Sequence, residues 1–299
     1  MMRQEFNLPQ GSSNREAFVK ASSFLEDCGV MEPQNNARLL LMHVLGLEGA
    51  AYYMAQPEPF PAQRITAFTD AVNRKGRGEP VQYIIGQQEF YGLQFEVSPA
   101  VLIPRPETEL LVEAIMKHGD VLWPSGTPRV IDIGTGSGAI AVTLKTERPR
   151  WDVAASDISP DALEVAAKNA AANGAAVSFR EGDLLTPFAG ERFDILVSNP
   201  PYIPAGDIAG LQREVREHEP RTALDGGPDG LAPYRIMMAQ LDLLAAPPAL
   251  VGFELGQGQA QDVAELLRQA GHWDQIEIVS DLAGIERHVI GIHTKVTKL

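Results

Sequence analysis

The sequence predicts an α/β protein: a seven-stranded, mostly parallel sheet that ends in an antiparallel hairpin, preceded by a small helical bundle. Three observations carry this. From Arg129 onward, short apolar runs alternate with stretches of helical period, the pattern of a doubly wound parallel sheet. The last two apolar runs, around Ile276 to Val279 and His288 to Ile292, have no helix between them and are expected to pair antiparallel. Before residue 86 the apolar residues recur at helical spacing.

In the first 85 residues, Ala17, Phe18, Ala21, Phe24, Leu25 and Cys28 fall on one helical face, with Asn14 expected as N-cap and Gly29 as the stop. Pro33 opens a second helix with Ala37, Leu40, Leu41, Val44 and Leu45 inside and Gly46 at its end. Ile65, Phe68 and Val72 mark a third, which runs into Arg74-Lys75-Gly76-Arg77-Gly78, read as a solvated helix end. Residues 87–98 alternate as a hairpin turning at Tyr91-Gly92-Leu93. In Pro104-Arg105-Pro106-Glu107-Thr108 the prolines shape an entry loop and Thr108 is expected to cap the helix that follows; Arg105 and Glu107 form a surface ion pair or line a cleft mouth, and spacing does not choose. The expected division is a helical unit 1–85, a hairpin linker 86–103 and an α/β domain 104–299.

Strands are expected at Val130 to Ile133, Val153 to Asp157, Val177 to Phe179, Phe193 to Val197 and Leu250 to Leu255, before the final pair. Of the 299 residues, 44% are hydrophobic and 21% charged, enough for a sizeable core. The formal net charge is −14, and residues 1–85 hold 8 Lys and Arg against 9 Asp and Glu, so the acid lies in the remainder. That disfavours non-specific nucleic-acid binding, which needs cations against phosphate. One cysteine, Cys28, excludes an intrachain disulfide and a cysteine-rich zinc site, and the histidines show no metal-ligand spacing. Without a signal-peptide pattern or a membrane-length apolar run, a cytoplasmic protein is expected.

Four strand ends carry chemistry. After the first comes Asp132-Ile133-Gly134-Thr135-Gly136-Ser137-Gly138, whose glycines permit a tight turn and close backbone approach to a ligand. The spacing is not that of the dinucleotide fingerprint, and the Walker lysine is absent. Asp157 ends the second strand, where an acid accepts ribose hydroxyls or caps the next helix, a role Ser159 can also fill. Asp183 follows the third strand, placed to accept an adenine amine, with Leu184 beside it to pack on the purine. The fourth strand stops at Asn199-Pro200-Pro201-Tyr202. There an Asn carbonyl and a backbone carbonyl can hold a planar NH2 group, two prolines stiffen the turn, and the Tyr ring can stack on the amide. A doubly wound sheet brings all four to one edge.

These motifs resemble the class I S-adenosylmethionine-dependent methyltransferases that methylate amino groups. Ile103-Pro104-Arg105-Pro106-Glu107-Thr108, Glu219-Pro220, the run from Ala223 to Leu231 and Glu254-Leu255-Gly256 are similar to the HemK-like protein-(glutamine-N5) methyltransferases over nearly the whole chain. The Pro-Arg-Pro-Glu-Thr loop sides with the branch acting on class I release factors rather than with the sibling acting on a large-subunit ribosomal protein. The resemblance implies methyl transfer to the glutamine of a Gly-Gly-Gln motif. By position, Asp132 would be among the cofactor-binding residues, the Gly134–Gly138 loop (Gly134, Thr135, Gly136, Ser137, Gly138) would hold the methionine part of the cofactor, Asp157 would bind the ribose, and Asp183 and Leu184 would face the adenine. Asn199, counted also among the cofactor-binding residues, and the Pro200 carbonyl would hold the glutamine NH2, Tyr202 would pack on the amide, and Pro201 would be a further substrate-binding residue. Some relatives carry an aromatic residue where Leu184 stands. No metal is required, because a sulfonium is itself a strong electrophile. A DNA adenine methyltransferase using the same clamp is the rival reading, opposed by the negative charge and the lack of a basic recognition domain. A monomer binding neither DNA nor membrane is expected.

Overall fold

The computed structural model describes residues 5–294. The chain forms two compact units: one runs to Gly86 and takes in Gln212–His218, the other comprises Gln87–Leu211 and everything described from Glu219 onward.

The first unit contains α1 (Asn14–Asp27), α2 (Pro33–Leu45), α3 (Gly49–Met54), α4 (Ile65–Gly76) and α5 (Val81–Ile85). Ala17, Ala21, Leu25, Leu40, Leu41, Phe68 and Val72 form its buried centre, so the three long helices meet along the faces that periodicity predicts. The cap of α1 is Ser13 rather than Asn14. Its hydroxyl accepts from the Glu16 amide while the Glu16 carboxylate accepts from the Ser13 amide, a capping box. Asn14 is buried instead, its side-chain NH2 donating to the Ala55 carbonyl at 2.8 Å. The basic run that ends α4 is not a solvated helix end either. Arg74 is held by Glu79, and Lys75, only 1% exposed, pairs with Glu214 at 2.5 Å.

The second unit opens with a hairpin of β1 (Gln87–Phe90) and β2 (Leu93–Glu96). Its turn is the two residues Tyr91 and Gly92, both at positive φ (53° and 72°), which fits the right-handed twist of the strands. Leu93 is already in β2. The hairpin counts with this unit and is not a free linker: the Asn169 side chain bonds both the amide and the carbonyl of Glu96, as a neighbouring strand would. Then come α6 (Pro106–Leu122), β3 (Arg129–Ile133), α7 (Ala139–Glu147), β4 (Asp152–Asp157), α8 (Pro160–Ala172), β5 (Ser178–Glu181) and β6 (Ile195–Ser198). After α9 (Arg213–His218), which belongs to the helical unit, α10 (Ala232–Gln240), β7 (Leu250–Glu254), α11 (Ala260–Ala270), β8 (Gln275–Ser280) and β9 (Glu286–Ile292) complete the fold.

The sheet order is β5-β4-β3-β6-β7-β9-β8, parallel through β7, with β9 antiparallel between β7 and β8. β3, β6 and β7 are buried on both faces, as strands covered by helices must be. Leu111, Ile115, Val142 and Leu144 pack in the cluster on one face, and Tyr234, Met237, Val263 and Leu267 in that on the other. The strand order reverses between β3 and β6, where a doubly wound sheet opens a crevice at the carboxyl ends of its strands.

A buried ion is stabilised only by its partner, so the two members of the Lys75–Glu214 pair differ in what their loss costs. Burial lowers the Lys75 pKa and the bond from Glu214 opposes that shift. Glu214→Ala, which strands the ammonium, is expected to cost about 2–3 kcal/mol. Lys75→Met, which leaves a part-exposed carboxylate in water, should stay within about 1 kcal/mol. Urea unfolding of both variants checks the order.

Candidate active site

A cavity of about 640 Å³ opens at the carboxyl edge of the sheet, every one of its lining residues lying in the second unit. β3 delivers Gly134, Thr135, Gly136 and Ser137 to it; β4 delivers Asp157, Ile158 and Ser159; the turn after β5 delivers Gly182, Asp183 and Leu184; and β6 delivers Asn199 and Pro201. Phe90 and the 100–102 segment, then Pro104, Arg105 and Thr108, close one side; residues of the 220–227 loop and Ile236 close another.

The glycine loop is fixed from below. The amides of Gly134 and Thr135 both donate to the Ser156 carbonyl at 2.9 Å, and the Gly136 amide donates to the Asp157 carboxylate at 2.8 Å. A Cβ placed on Gly134 or Gly136 would meet nothing within 4 Å, so the bare backbone faces open space, the form of a cradle for a ligand's tail. Asp157 also accepts from the Ser159 amide at 2.9 Å. Burial raises its pKa and these backbone bonds restrain the rise. Ser159, not Asp157, is the helix cap, since its hydroxyl accepts from the Ala162 amide. Leu184 stands at φ 49°, an uncommon conformation for a leucine, with its carbonyl bonded by the Ser156 hydroxyl.

On the other side of the crevice, the Asn199 carboxamide nitrogen donates to the Thr108 hydroxyl oxygen at 3.2 Å, which leaves Oδ1 as the acceptor it can offer to the cavity. Thr108 is therefore not the cap of α6. That position is Arg105, and Thr108 is buried two residues inside the helix. Arg105 pairs not with Glu107 but with the buried Glu219 at 2.5 Å, and it lines the cavity.

Nine of the residues expected at the site meet at this cavity: Gly134, Thr135, Gly136, Ser137, Asp157, Asp183, Leu184, Asn199 and Pro201. Four do not line it. Asp132 is fully buried beneath the loop, accepting from the Thr135 hydroxyl at 2.6 Å and the Ala141 amide at 3.2 Å. Gly138 turns the chain into α7 from behind the loop. Pro200 is buried in the turn, although among the described residues no hydrogen bond reaches its carbonyl. The Tyr202 ring packs against the cluster of Tyr234 and Phe253, and its carbonyl accepts from Gln259 at 2.9 Å. Burial first, and then the Glu254 charge, push its phenol up to about 12, so it is protonated at neutral pH. Gly230, at φ 78°, lies so close that a Cβ there would sit 2.3 Å from the Tyr202 carbonyl, which explains the glycine in that loop. Thr108, Ile158 and Ile236 are lining residues that spacing does not reveal; Ile158, 60% exposed directly after a strand-end acid, is the one with a visible signal.

The "PrmC N-terminal domain" family model matches residues 16–86, and the "Methyltransferase small domain" model matches residues 106–214. Curated proteins named release factor glutamine methyltransferase are similar over nearly the full length. That of Bacillus anthracis is 43% identical over 276 residues, covering 92% of this chain and 97% of its own. That of Bacillus subtilis (strain 168) is 42% identical over 280 residues, covering 93% and 96%. Among solved structures, the catalytic domain of hMettl16 in complex with MAT2A 3'UTR hairpin 6 aligns at TM-score 0.54 and 18% identity, over 77% of this chain and 84% of that one, a likeness of fold.

Asp132 supplies a pH test of the loop. Burial, the largest cause, raises its pKa to about 7, against about 3.9 in an unfolded chain. The folded state therefore binds the proton more tightly, and stability must fall as pH rises from about 4 to about 7 and then level off. In Asp132→Asn that decline should be absent, so the difference in unfolding free energy between wild type and variant should shift across that window by a few kcal/mol in the variant's favour. Urea unfolding between pH 4 and 8 measures it; parallel curves would show that folding leaves the Asp132 pKa unchanged.

Proposed function

The chain belongs to the release factor glutamine methyltransferase family, and we propose that it transfers a methyl group from S-adenosylmethionine to the side-chain amide nitrogen of the glutamine in the Gly-Gly-Gln motif of class I release factors. The observation that carries this reading is that one cavity is lined both by the glycine loop with Asp157 and by Asn199 with Pro201. A donor and an amide can then meet there.

The open backbone at Gly134 and Gly136 suits the methionine tail. Asp157, fixed by two amides, would accept the ribose hydroxyls, and Asp183 with Leu184 and Ile158, which line the same cavity, would face the adenine. When bound, S-adenosylmethionine supplies an electrophilic methyl on a sulfonium. The remaining work is positioning. An amide nitrogen is a weak nucleophile because its lone pair is delocalised into the carbonyl. Asn199 Oδ1 and the Pro200 carbonyl would take the two NH2 protons, orient the nitrogen and favour its pyramidal form. Tyr202 stiffens the turn from behind rather than acting as a base, since a phenol titrating near 12 holds its proton. The proton on the alkylated nitrogen becomes strongly acidic and leaves to water.

The helical unit supplies no lining residue of the cavity; its proposed role is to grip the protein substrate, and the enzyme is proposed to act as a cytoplasmic monomer. Among the described residues no helix is long and apolar enough to cross a membrane.

Incubation with labelled S-adenosylmethionine and purified release factors, followed by peptide mapping, should place one methyl on the Gly-Gly-Gln glutamine. Asn199→Ala should lower turnover by at least ~100-fold, the scale of losing a preorganised hydrogen-bonding group, while cofactor affinity measured by titration calorimetry changes little. Normal turnover in that variant, or release factors left unlabelled, would overturn the reading.

A further inference from the structure

A carboxamide has two faces of opposite character. Its oxygen accepts, and so selects an NH2 group; its NH2 donates, and so selects a carboxylate. Asn199 can in principle offer either face to the cavity, and only one suits a glutamine amide. In this structure the neighbour that takes one of these faces is Thr108, whose hydroxyl oxygen accepts from the NH2. Its hydroxyl oxygen lies 3.2 Å from Asn199 Nδ2, and both residues line the cavity.

Thr108 is well made to hold a fixed position. It is 4% exposed, its β-branched side chain has little rotamer freedom, and it sits in the first turn of α6 behind two prolines. Its amide donates to the Arg105 carbonyl at 3.1 Å, and the Arg105 side chain is tied to buried Glu219 at 2.5 Å. Asn199 is equally constrained. Ser198, the residue before it, bonds the Ile133 carbonyl through its hydroxyl at 2.6 Å, and a proline follows.

We propose that Thr108 is a positioning and specificity-determining residue: it takes the Asn199 NH2 and thereby turns Oδ1 toward the cavity, so that the site accepts a primary amide and rejects the isosteric carboxylate of glutamate. The proposal rests on the reading of Asn199 as the amide clamp. A carboxylate brought to the same place meets an oxygen with no proton to share, and leaving a buried polar pair unmatched is how a site discriminates strongly between near-isosteres. With no acceptor at position 108, the carboxamide is free to turn, and its NH2 becomes available to a carboxylate.

The test uses the full-length protein in wild-type form and as Thr108→Val, Thr108→Ala, Thr108→Ser and Asn199→Ala. Two synthetic peptides serve as probes, one with a central Gly-Gly-Gln and one with Gly-Gly-Glu. Turnover with S-adenosylmethionine is measured on the first. Binding of both is measured by calorimetry with S-adenosylhomocysteine present, so the readout does not depend on methyl transfer. Thr108→Val and Thr108→Ala should lower kcat by ~10–100-fold and shrink the Gln-over-Glu binding ratio at least ~10-fold, the loss expected of one matched hydrogen bond at a buried site. Cofactor affinity should be unchanged, and Thr108→Ser should restore both quantities to within about threefold. The alanine variant keeps the test intact if the valine misfolds. A binding ratio unmoved in Thr108→Val and Thr108→Ala, or a serine variant as impaired as they are, overturns the proposal. If Asn199→Ala is inactive while those variants are normal, this inference alone fails; if Asn199→Ala is itself fully active, the clamp reading fails with it.

Discussion

The site depends on one strand pairing. In the parallel ladder of β3 and β6, Ile133 stands opposite Ser198, so the residues that follow, Gly134 and Asn199, leave the sheet side by side. The Ser198 hydroxyl, bonded to the Ile133 carbonyl, locks that register at the point where both strands end. A slip of one residue would invert every side chain of β6 between the two cores. It would carry Asn199 away from Thr108 and detach the proposed amide-binding turn from the glycine loop. Because β3 and β6 are buried on both faces, such a slip would drive the apolar faces of Ile195, Leu196 and Val197 against the wrong helices. The hydrophobic packing of the sheet thus sets the distance over which the chemistry operates.

Much of this was legible in the residues. The alternation after Arg129 is enough for the sheet and its antiparallel end, and the four strand-end motifs collect at one cavity because a doubly wound topology leaves them no other edge. Most of what was not legible depends on which groups meet across long sequence separations. Thr108 has the look of a helix cap, and only the fold shows that it faces a side chain 91 positions away. Lys75 belongs by composition to a basic run, and its burial depends on Glu214, which arrives 139 positions later. Tyr202 reads as a stacking ring, yet its ring packs, partly buried, against the cluster that holds Phe253. Asn14 against Ser13 as helix cap is a smaller case, decided by a reciprocal bond from Glu16.

The ionisable groups at the site share a logic. Asp132 lies beneath the loop, where burial favours its neutral form; Tyr202 lies behind the clamp, where burial also favours its neutral form. Asp157, which borders the cavity, is held in place by two backbone amides that oppose the rise burial gives its pKa. A base close to an amide nitrogen would gain little, because the nitrogen becomes acidic only after it is alkylated. Before that the barrier lies in presenting a reluctant lone pair, and that is met by directional acceptors held rigidly. On this view the two prolines of the turn, the threonine behind the asparagine and the β3–β6 register act as a single device: each removes a freedom that the carboxamide would otherwise have to lose when substrate binds.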